Sequence, residues 1–159
     1  MKSPSQPQLS SLLDHYQNGR YSDAEKLAIS MTQEFPRHPF SWKVLGAILM
    51  RTCRMPDALV ANHKTVEISP QDFEAHYDLG VTLQELGRFE EAEVSFRQAI
   101  ELKPDYAKAY NNRGNAFYHL GQYQQALDDY NRTIELDPNH QKAINSRLKL
   151  LNYGKQSNP

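Results

Sequence analysis

Prolines recur along this 159-residue sequence at a constant interval, and that interval constrains the fold more than any other feature. Pro36, Pro70, Pro104 and Pro138 are each 34 residues apart. Small residues keep the same step and form two further columns: Ala24, Ala58, Ala92 and Ala126, then Gly46, Gly80 and Gly114. A period of this length predicts a chain of repeated supersecondary units that stack into one continuous core.

Each unit reads as two helices joined by a tight turn. In the third unit, Leu79, Leu83 and Leu86 recur at helical spacing, and Gly87 then ends the first helix. The second helix ends before Pro104, because the residue that precedes a proline is disfavoured in the helical region. The same reading of every unit predicts helices near residues 6–17, 22–34, 39–52, 56–68, 73–86, 90–102, 107–120, 124–136 and 141–153.

The residues at the repeated positions resemble those of the tetratricopeptide-repeat family. They are the segments Trp42–Gly46, His76–Gly80 and Tyr110–Gly114, with the alanine, glycine and proline columns. The resemblance implies an all-α fold, a right-handed α-solenoid of four helix-turn-helix repeats followed by a C-terminal capping helix. The implied single domain covers residues 6–153, with flanking residues 1–5 and 154–159 disordered. Its repeats cover about residues 5–38, 39–72, 73–106 and 107–140, and its capping helix covers residues 141–153.

Three departures from the repeat pattern carry structural expectations. Cys53 stands in the turn position that glycine fills elsewhere. Pro56 lies at the start of the next helix, where proline is tolerated, so we expect no break there. Arg113 replaces a leucine of the first-helix column, and its guanidinium is expected to reach an acid or solvent, because a buried unpaired charge is costly.

Composition argues against two classes of partner. The formal net charge is −1 and no basic stripe is present, which disfavours nucleic-acid binding. No apolar run approaches the roughly 18 residues that a membrane span needs. We therefore expect a cytoplasmic protein with neither a nucleic-acid nor a membrane partner.

No catalytic residue, metal site or cofactor is predicted. The six histidines are never three to five residues apart, and the single cysteine excludes a cysteine-built zinc site. Every internal glycine is explained by the repeat, which leaves no phosphate-binding loop. His76 lies in the column of Trp42 and Tyr110 and is expected to be a packing residue.

The family resemblance implies that the first helix of each pair lines a concave groove, while the second forms the convex back. Helical phase selects the side chains that are expected to face this groove and to bind a peptide. They are Lys43, Arg51, Tyr77, Asp78, Lys108, Asn111, Asn112, Asn115 and His119.

Three asparagines are the most specific feature of the expected groove. Asn111, Asn112 and Asn115 lie within about one helical turn, although asparagine is a poor helix former. A carboxamide pairs with a peptide group through a donor and an acceptor together, which suits capture of an extended backbone. The cluster resembles in part the asparagine ladder of O-linked N-acetylglucosamine transferases, where Asn112 alone fills a ladder position.

Charged residues of the groove bear on the kind of ligand. The carboxylate clamp of co-chaperone repeats is disfavoured, because Ala47 and Asp78 stand where its asparagines belong. Lys43 and Arg51 are expected to favour acidic ligand groups, whereas Asp78 and Glu85 are expected to favour basic ones.

The predicted function is a non-enzymatic scaffold or adaptor that binds an extended peptide or a partner helix in the groove. Two alternatives stay open. The chain is the repeat portion or partner of a glycosyltransferase- or sulfotransferase-type enzyme, or it is a scaffold that self-assembles through opposed charge patches. Residues 73–106 carry three Lys and Arg against eight Asp and Glu, whereas residues 141–159 carry four Lys and Arg and no acid. These patches leave a homo-oligomer open.

Overall fold

A computed structural model describes residues 3–156, and it describes the side chains of residues 3–154. Within residues 3–156 the chain forms nine helices and no strand. The helices are α1 (Gln6–Gln17), α2 (Tyr21–Glu34), α3 (Pro39–Arg51), α4 (Met55–Ile68), α5 (Phe73–Glu85), α6 (Phe89–Leu102), α7 (Ala107–His119), α8 (Tyr123–Leu136) and α9 (Gln141–Gln156).

The first eight helices begin and end within one residue of their predicted bounds, and α9 does not. The expected end of α9 at residue 153 is too early, because the helix continues through Gly154 to Gln156. A glycine near an exposed helix end costs only about 1 kcal/mol, and no proline follows it in the helix. The chain start also differs from the expectation, since Pro4 is buried and Ser5 forms a capping box with Gln8. Residues 1–2 and 157–159, also predicted to be disordered, lie outside the described residues.

Each helix packs on the helices that precede and follow it, so the pairs stack into a solenoid. Within a pair, a small residue on the first helix admits a large side chain from the second. A Cβ built on Gly80 would lie 2.6 Å from the ring of Phe96, and one built on Gly114 would lie 2.8 Å from the ring of Tyr130. Close helix packing therefore requires the glycine column.

The first helices also contact one another in succession, from α1 to α3, to α5 and to α7. A stack of helix pairs curves toward the side on which successive helices lie closest. The first helices therefore line the concave side of the solenoid, where the sequence analysis expects the groove.

One side chain in each of three repeats ties the first helix to the preceding loop. The ring nitrogen of Trp42 donates to the carbonyl of Pro36, 2.9 Å away, and the hydroxyl of Tyr110 donates to that of Pro104 at 3.0 Å. His76 makes the equivalent contact, 2.8 Å between its Nε2 and the carbonyl of Pro70. His76 is 9% exposed, which confirms the expected packing role.

Arg113 is paired with a buried acid of the second helix in its own repeat. Its Nε and one terminal nitrogen each donate to a carboxylate oxygen of Asp129 at 2.8 Å. Asp129 is 5% exposed, and burial raises the pKa of its carboxyl while the hydrogen bonds from Arg113 oppose that rise. The expectation that Arg113 reaches an acid is confirmed.

Candidate functional site

Three pockets lie along the concave side and hold eight of the nine residues predicted to bind a ligand. The one with the most predicted residues, here called the amide pocket, has a volume of about 370 Å³ and lies between α5, α7 and the start of α9. Its lining residues are Tyr77, Lys108, Asn111, Asn112, His140, Gln141 and Lys142. They lie on α5, α7 and α9 or, in the case of His140, just before α9.

A chain of hydrogen bonds crosses the amide pocket from one repeat to the previous one. The Nδ2 group of Asn111 donates to Oδ1 of Asn112 at 3.1 Å, and Nδ2 of Asn112 donates to the hydroxyl of Tyr77 at 3.0 Å. Because the Tyr77 oxygen accepts that bond, its own proton remains able to donate to a ligand. Burial raises the pKa of Tyr77, which keeps the hydroxyl protonated.

Asn111 lies deeper than the sequence analysis expects. The three asparagines are all expected to face the open groove, but Asn111 is only 4% exposed and forms the floor of the amide pocket. Asn111 is buried together with Ala109 and Gly114 of the same helix, which face the core of the protein. Oδ1 of Asn111 has no hydrogen-bond partner in the described part of the chain, although it is buried. A buried acceptor without a partner is costly, and a donor from a ligand would relieve that cost.

Cationic and donor groups surround this floor. Lys108 lies in the first turn of α7 and Lys142 in the first turn of α9, and both side chains line the pocket. Nδ1 of His140 accepts from the backbone N–H of Ala143 at 3.3 Å, so the neutral imidazole carries its proton on Nε2. His140 is not among the residues selected from the sequence, although its position just before a helix is the signal of a cap.

The second pocket, about 260 Å³, continues the concave side toward the C-terminal ends of α5 and α7. It contains Asn115 and His119 among the predicted residues, together with the hydroxyl of Tyr130. That hydroxyl donates to Oδ1 of Asn115 at 2.9 Å. The ring of His119 stacks on Phe89 with the ring centres 4.3 Å apart, so one face of the imidazole is already covered.

The positive charge of Lys43 is neutralised by two carboxylates of the protein itself. Its Nζ lies 2.9 Å from a carboxylate oxygen of Asp72, the N-cap residue of α5, and 2.6 Å from one of Glu74, in the first turn of that helix. Burial opposes the charge of Lys43, but the hydrogen bonds that Lys43 donates to Glu74 and Asp72 prevail and raise its pKa. An ammonium held by two carboxylates offers little attraction to an acidic ligand, and the expected preference of Lys43 for such groups stays an unsupported prediction.

The third pocket, about 400 Å³, lies between α1, α3 and α5 and contains Arg51, Asp78 and Glu85. Nε of Arg51 donates to the hydroxyl of Tyr16 at 3.1 Å, which orients the guanidinium along the pocket wall. Burial raises the pKa of the Asp78 carboxyl to about 6; the charge of Lys43 opposes the rise, and Glu74 and Asp72 add to it. The third pocket thus holds two carboxyl groups and one guanidinium, whereas the described residues that line the amide pocket include no acid.

No helix in residues 3–156 is long and apolar enough to cross a membrane. Histidine, cysteine and acidic side chains are nowhere grouped as a metal site in the part of the chain that the structure describes.

The stacked helix pairs and the pockets along their inner side define a helical-repeat solenoid. Family models described as tetratricopeptide repeat match residues 64–94 and 107–140, and one described as TPR repeat matches residues 83–121. The chain is a tetratricopeptide-repeat protein. Curated protein sequences give no significant match.

Solved structures align along most of the chain. A crystal structure of the MamA protein aligns with a TM-score of 0.80 at 22% identity, over 93% of this chain and 88% of that one, which concerns the fold alone. A structure of MamA MSR-1 aligns with a TM-score of 0.74 at 26% identity, over 82% and 75% of the two chains. The first TPR of Spaghetti (RPAP3), bound to the HSP90 peptide SRMEEVD, aligns with a TM-score of 0.71 at 26% identity, over 72% and 91%.

Proposed function

We propose that this protein is a non-enzymatic interaction module that holds an extended peptide segment of a partner protein in its concave groove. The observation that carries the proposal is the floor of the amide pocket. There, a buried carboxamide oxygen of Asn111 lacks a partner among the described residues, and the neighbouring amide of Asn112 lies between α5 and α7.

An extended peptide supplies what this surface lacks. Each residue of such a peptide presents one N–H donor and one carbonyl acceptor, and carboxamides bind both without regard to the peptide's side chains. The amide pocket and the pocket at Asn115 follow one another along α7, so a segment of several residues can contact both. A related repeat domain bound to a peptide gives this mode a structural precedent.

The proposal is tested by selecting binders from a library of random dodecapeptides displayed on phage, with the full chain as bait. Affinities of the selected peptides are then measured by calorimetry for the native protein and for Asn112→Ala and Asn115→Ala. Loss of the Asn112 amide is expected to weaken binding by about 1–3 kcal/mol, because a peptide group in the complex would lose its partner.

The matched control is Val60→Ala, which changes an exposed side chain on α4, on the convex side. The control is expected to bind the selected peptides with native affinity. Failure to select any peptide would overturn the proposal. So would affinity that is unchanged in both asparagine variants but lost in Val60→Ala.

A further inference from the structure

We propose that a tyrosine-walled pocket between the C-terminal end of α7, the start of α8 and the C-terminal half of α9 binds a proline ring of a partner segment in the polyproline II conformation. This cavity, here called the tyrosine pocket, has a volume of about 400 Å³ and is lined by Tyr118, Tyr123, Leu150, Tyr153 and Gly154. It shares no lining residue with the amide pocket, so the inference goes beyond the proposed function and is independent of it.

Comparison of two repeats shows that a position filled in one of them is open in the next. Phe89 begins α6, and the ring of His119 stacks on it with the ring centres 4.3 Å apart and the planes 7° from parallel. Tyr123 and Tyr153 stand at the same two positions one repeat of 34 residues later. There, the side chain of Tyr123 is 54% exposed, and both tyrosines line the cavity. The ring face that an imidazole covers in the third repeat is therefore accessible to a ligand in the fourth.

Aromatic rings form most of the wall of the tyrosine pocket. Tyr118 and Tyr123 contact each other with the ring centres 5.6 Å apart and the planes inclined at 57°, which gives the wall an angled shape. Tyr118 and Tyr153 are also exposed, and Leu150 adds an aliphatic surface. Apolar side chains exposed together in this way mark a binding site. Grooves lined by aromatic rings are the surfaces on which proline-rich segments dock.

The polar groups of the pocket favour proline over other apolar residues. The hydroxyls of Tyr118 and Tyr123 form no hydrogen bond with the described residues, so each can donate to a ligand. The described residues that line the pocket include no carboxylate or carboxamide that would accept from a peptide N–H. Proline has a carbonyl and no N–H, and the polyproline II helix makes no internal hydrogen bonds. A proline segment therefore supplies acceptors for the two hydroxyls and introduces no donor that the pocket would leave without a partner.

Charge near the pocket disfavours the other ligand that aromatic rings attract, a quaternary ammonium group. The first turn of α8 contains no acidic residue, and residues 141–154 contain none. Lys149 lines the adjoining pocket, which also contains Tyr118. A bound cation would be repelled by this ammonium group, with no carboxylate among the described lining residues to offset the repulsion. An uncharged ring avoids that cost.

Gly154 allows the pocket to be closed without changing a tyrosine. It lies within α9, and a Cβ built on it has no heavy atom within 4 Å. A leucine therefore has room at this position and is expected to occupy the pocket, whereas an alanine fills little of it. Both variants replace a glycine inside a helix, so both raise the helix propensity by a similar amount.

The test is a titration of the ¹⁵N-labelled full chain with acetyl-hexaproline amide, followed through the backbone signals of Tyr118, Tyr123 and Tyr153. The comparison probes are an uncharged hexapeptide of alternating alanine and serine, capped in the same way, and the acetylated amide of trimethyl-lysine. Hexaproline is expected to bind about tenfold more tightly than either probe, or better. Equal binding of the alanine–serine peptide, or tighter binding of trimethyl-lysine, would overturn the proline site.

Variants locate the binding. Gly154→Leu and Tyr123→Ala are each expected to weaken hexaproline binding about tenfold or more, while the matched control Gly154→Ala stays within about twofold of the native affinity. Asn112→Ala, which alters the amide pocket, is expected to bind hexaproline with native affinity. Unchanged affinity in Gly154→Leu would overturn the site. If binding were lost in Asn112→Ala instead, the prolines would occupy the groove, and the proposed function would stand without the tyrosine pocket.

Discussion

Cys53 adopts a backbone conformation that the other repeats reserve for glycine. Its φ is 59°, and Gly19, Gly87 and Gly121 have φ values of 71–73° at the equivalent turns. The turns also share a backbone hydrogen bond. The backbone N–H of Arg54 donates to the carbonyl of Leu49 at 2.8 Å, and the residue after each turn glycine makes the equivalent bond. A side chain in the left-handed region costs about 1–2 kcal/mol.

Cys53→Gly is therefore expected to raise the free energy of unfolding by about 1 kcal/mol, since relief of strain outweighs the added freedom of the unfolded chain. Urea unfolding measures the change. The reciprocal variant Gly87→Ala is expected to lower stability by a similar amount. A stability that falls in Cys53→Gly would contradict the assignment of strain to this turn.

Asp78 makes stability depend on pH in a direction unusual for an acid. Burial raises the pKa of its carboxyl to about 6 from a value near 3.8, while Lys43 opposes the rise and Glu74 and Asp72 reinforce it. The folded protein therefore holds this proton more tightly than the unfolded chain. The stabilising contribution is fully present below about pH 4 and is lost as the pH rises through about 6.

Asp78→Asn removes this ionisation with little change of shape. The stability of the variant relative to the native protein is expected to rise by about 2 kcal/mol between pH 4.5 and pH 7.5. Urea unfolding at pH 4.5, 6 and 7.5 measures the difference, with Asp128→Asn on α8 reporting the general effect of losing an exposed negative charge. A difference that stays constant across this range would contradict the raised pKa.

At the scale of the helix, the repeat makes the ends of helices predictable. It does not predict as well which side chains contact one another. Turn residues at the glycine positions, Cys53 among them, and the repeated prolines mark the ends of eight helices, but neither kind of residue marks the end of α9, which was missed. The sequence predicts that Arg113 reaches an acid or solvent, but it does not identify which acid. Asp129 lies 16 residues after Arg113 in the chain. The two side chains meet only because α8 packs against α7, which the sequence of one helix does not reveal.

Phe96 on α6 tests whether the pairs are held together as the glycine column indicates. Its ring is fully buried, lies against Gly80 and contacts the ring of Tyr77. Phe96→Ala is expected to lower the free energy of unfolding by about 3–5 kcal/mol, because it opens a cavity between α5 and α6. Chemical unfolding gives the value.

Val94→Ala on the same helix is the control, since that side chain is 44% exposed. It is expected to change stability by no more than about 0.5 kcal/mol. A loss below about 1 kcal/mol in Phe96→Ala would show that α5 and α6 are not packed through this ring.

At the scale of the whole molecule, helical phase predicts which side chains share a surface, but it does not predict which of the charged ones are paired. Helical phase selected Tyr77 and Asn112 correctly as neighbours of one surface, although 35 residues separate them. Charge balance depends on contacts between repeats, which a periodic pattern does not contain. Asp72 and Glu74 neutralise Lys43, whereas no acid of the described chain pairs with Lys108.

The central claim is that the concave side between α5, α7 and the start of α9 is the interaction surface. It is tested most directly by mapping backbone ¹⁵N shifts of the full chain on titration with a peptide selected from the dodecapeptide library. The claim predicts that the largest changes fall on α5, α7 and the first turn of α9. Changes concentrated on α2, α4, α6 and α8, with the first helices unaffected, would contradict it.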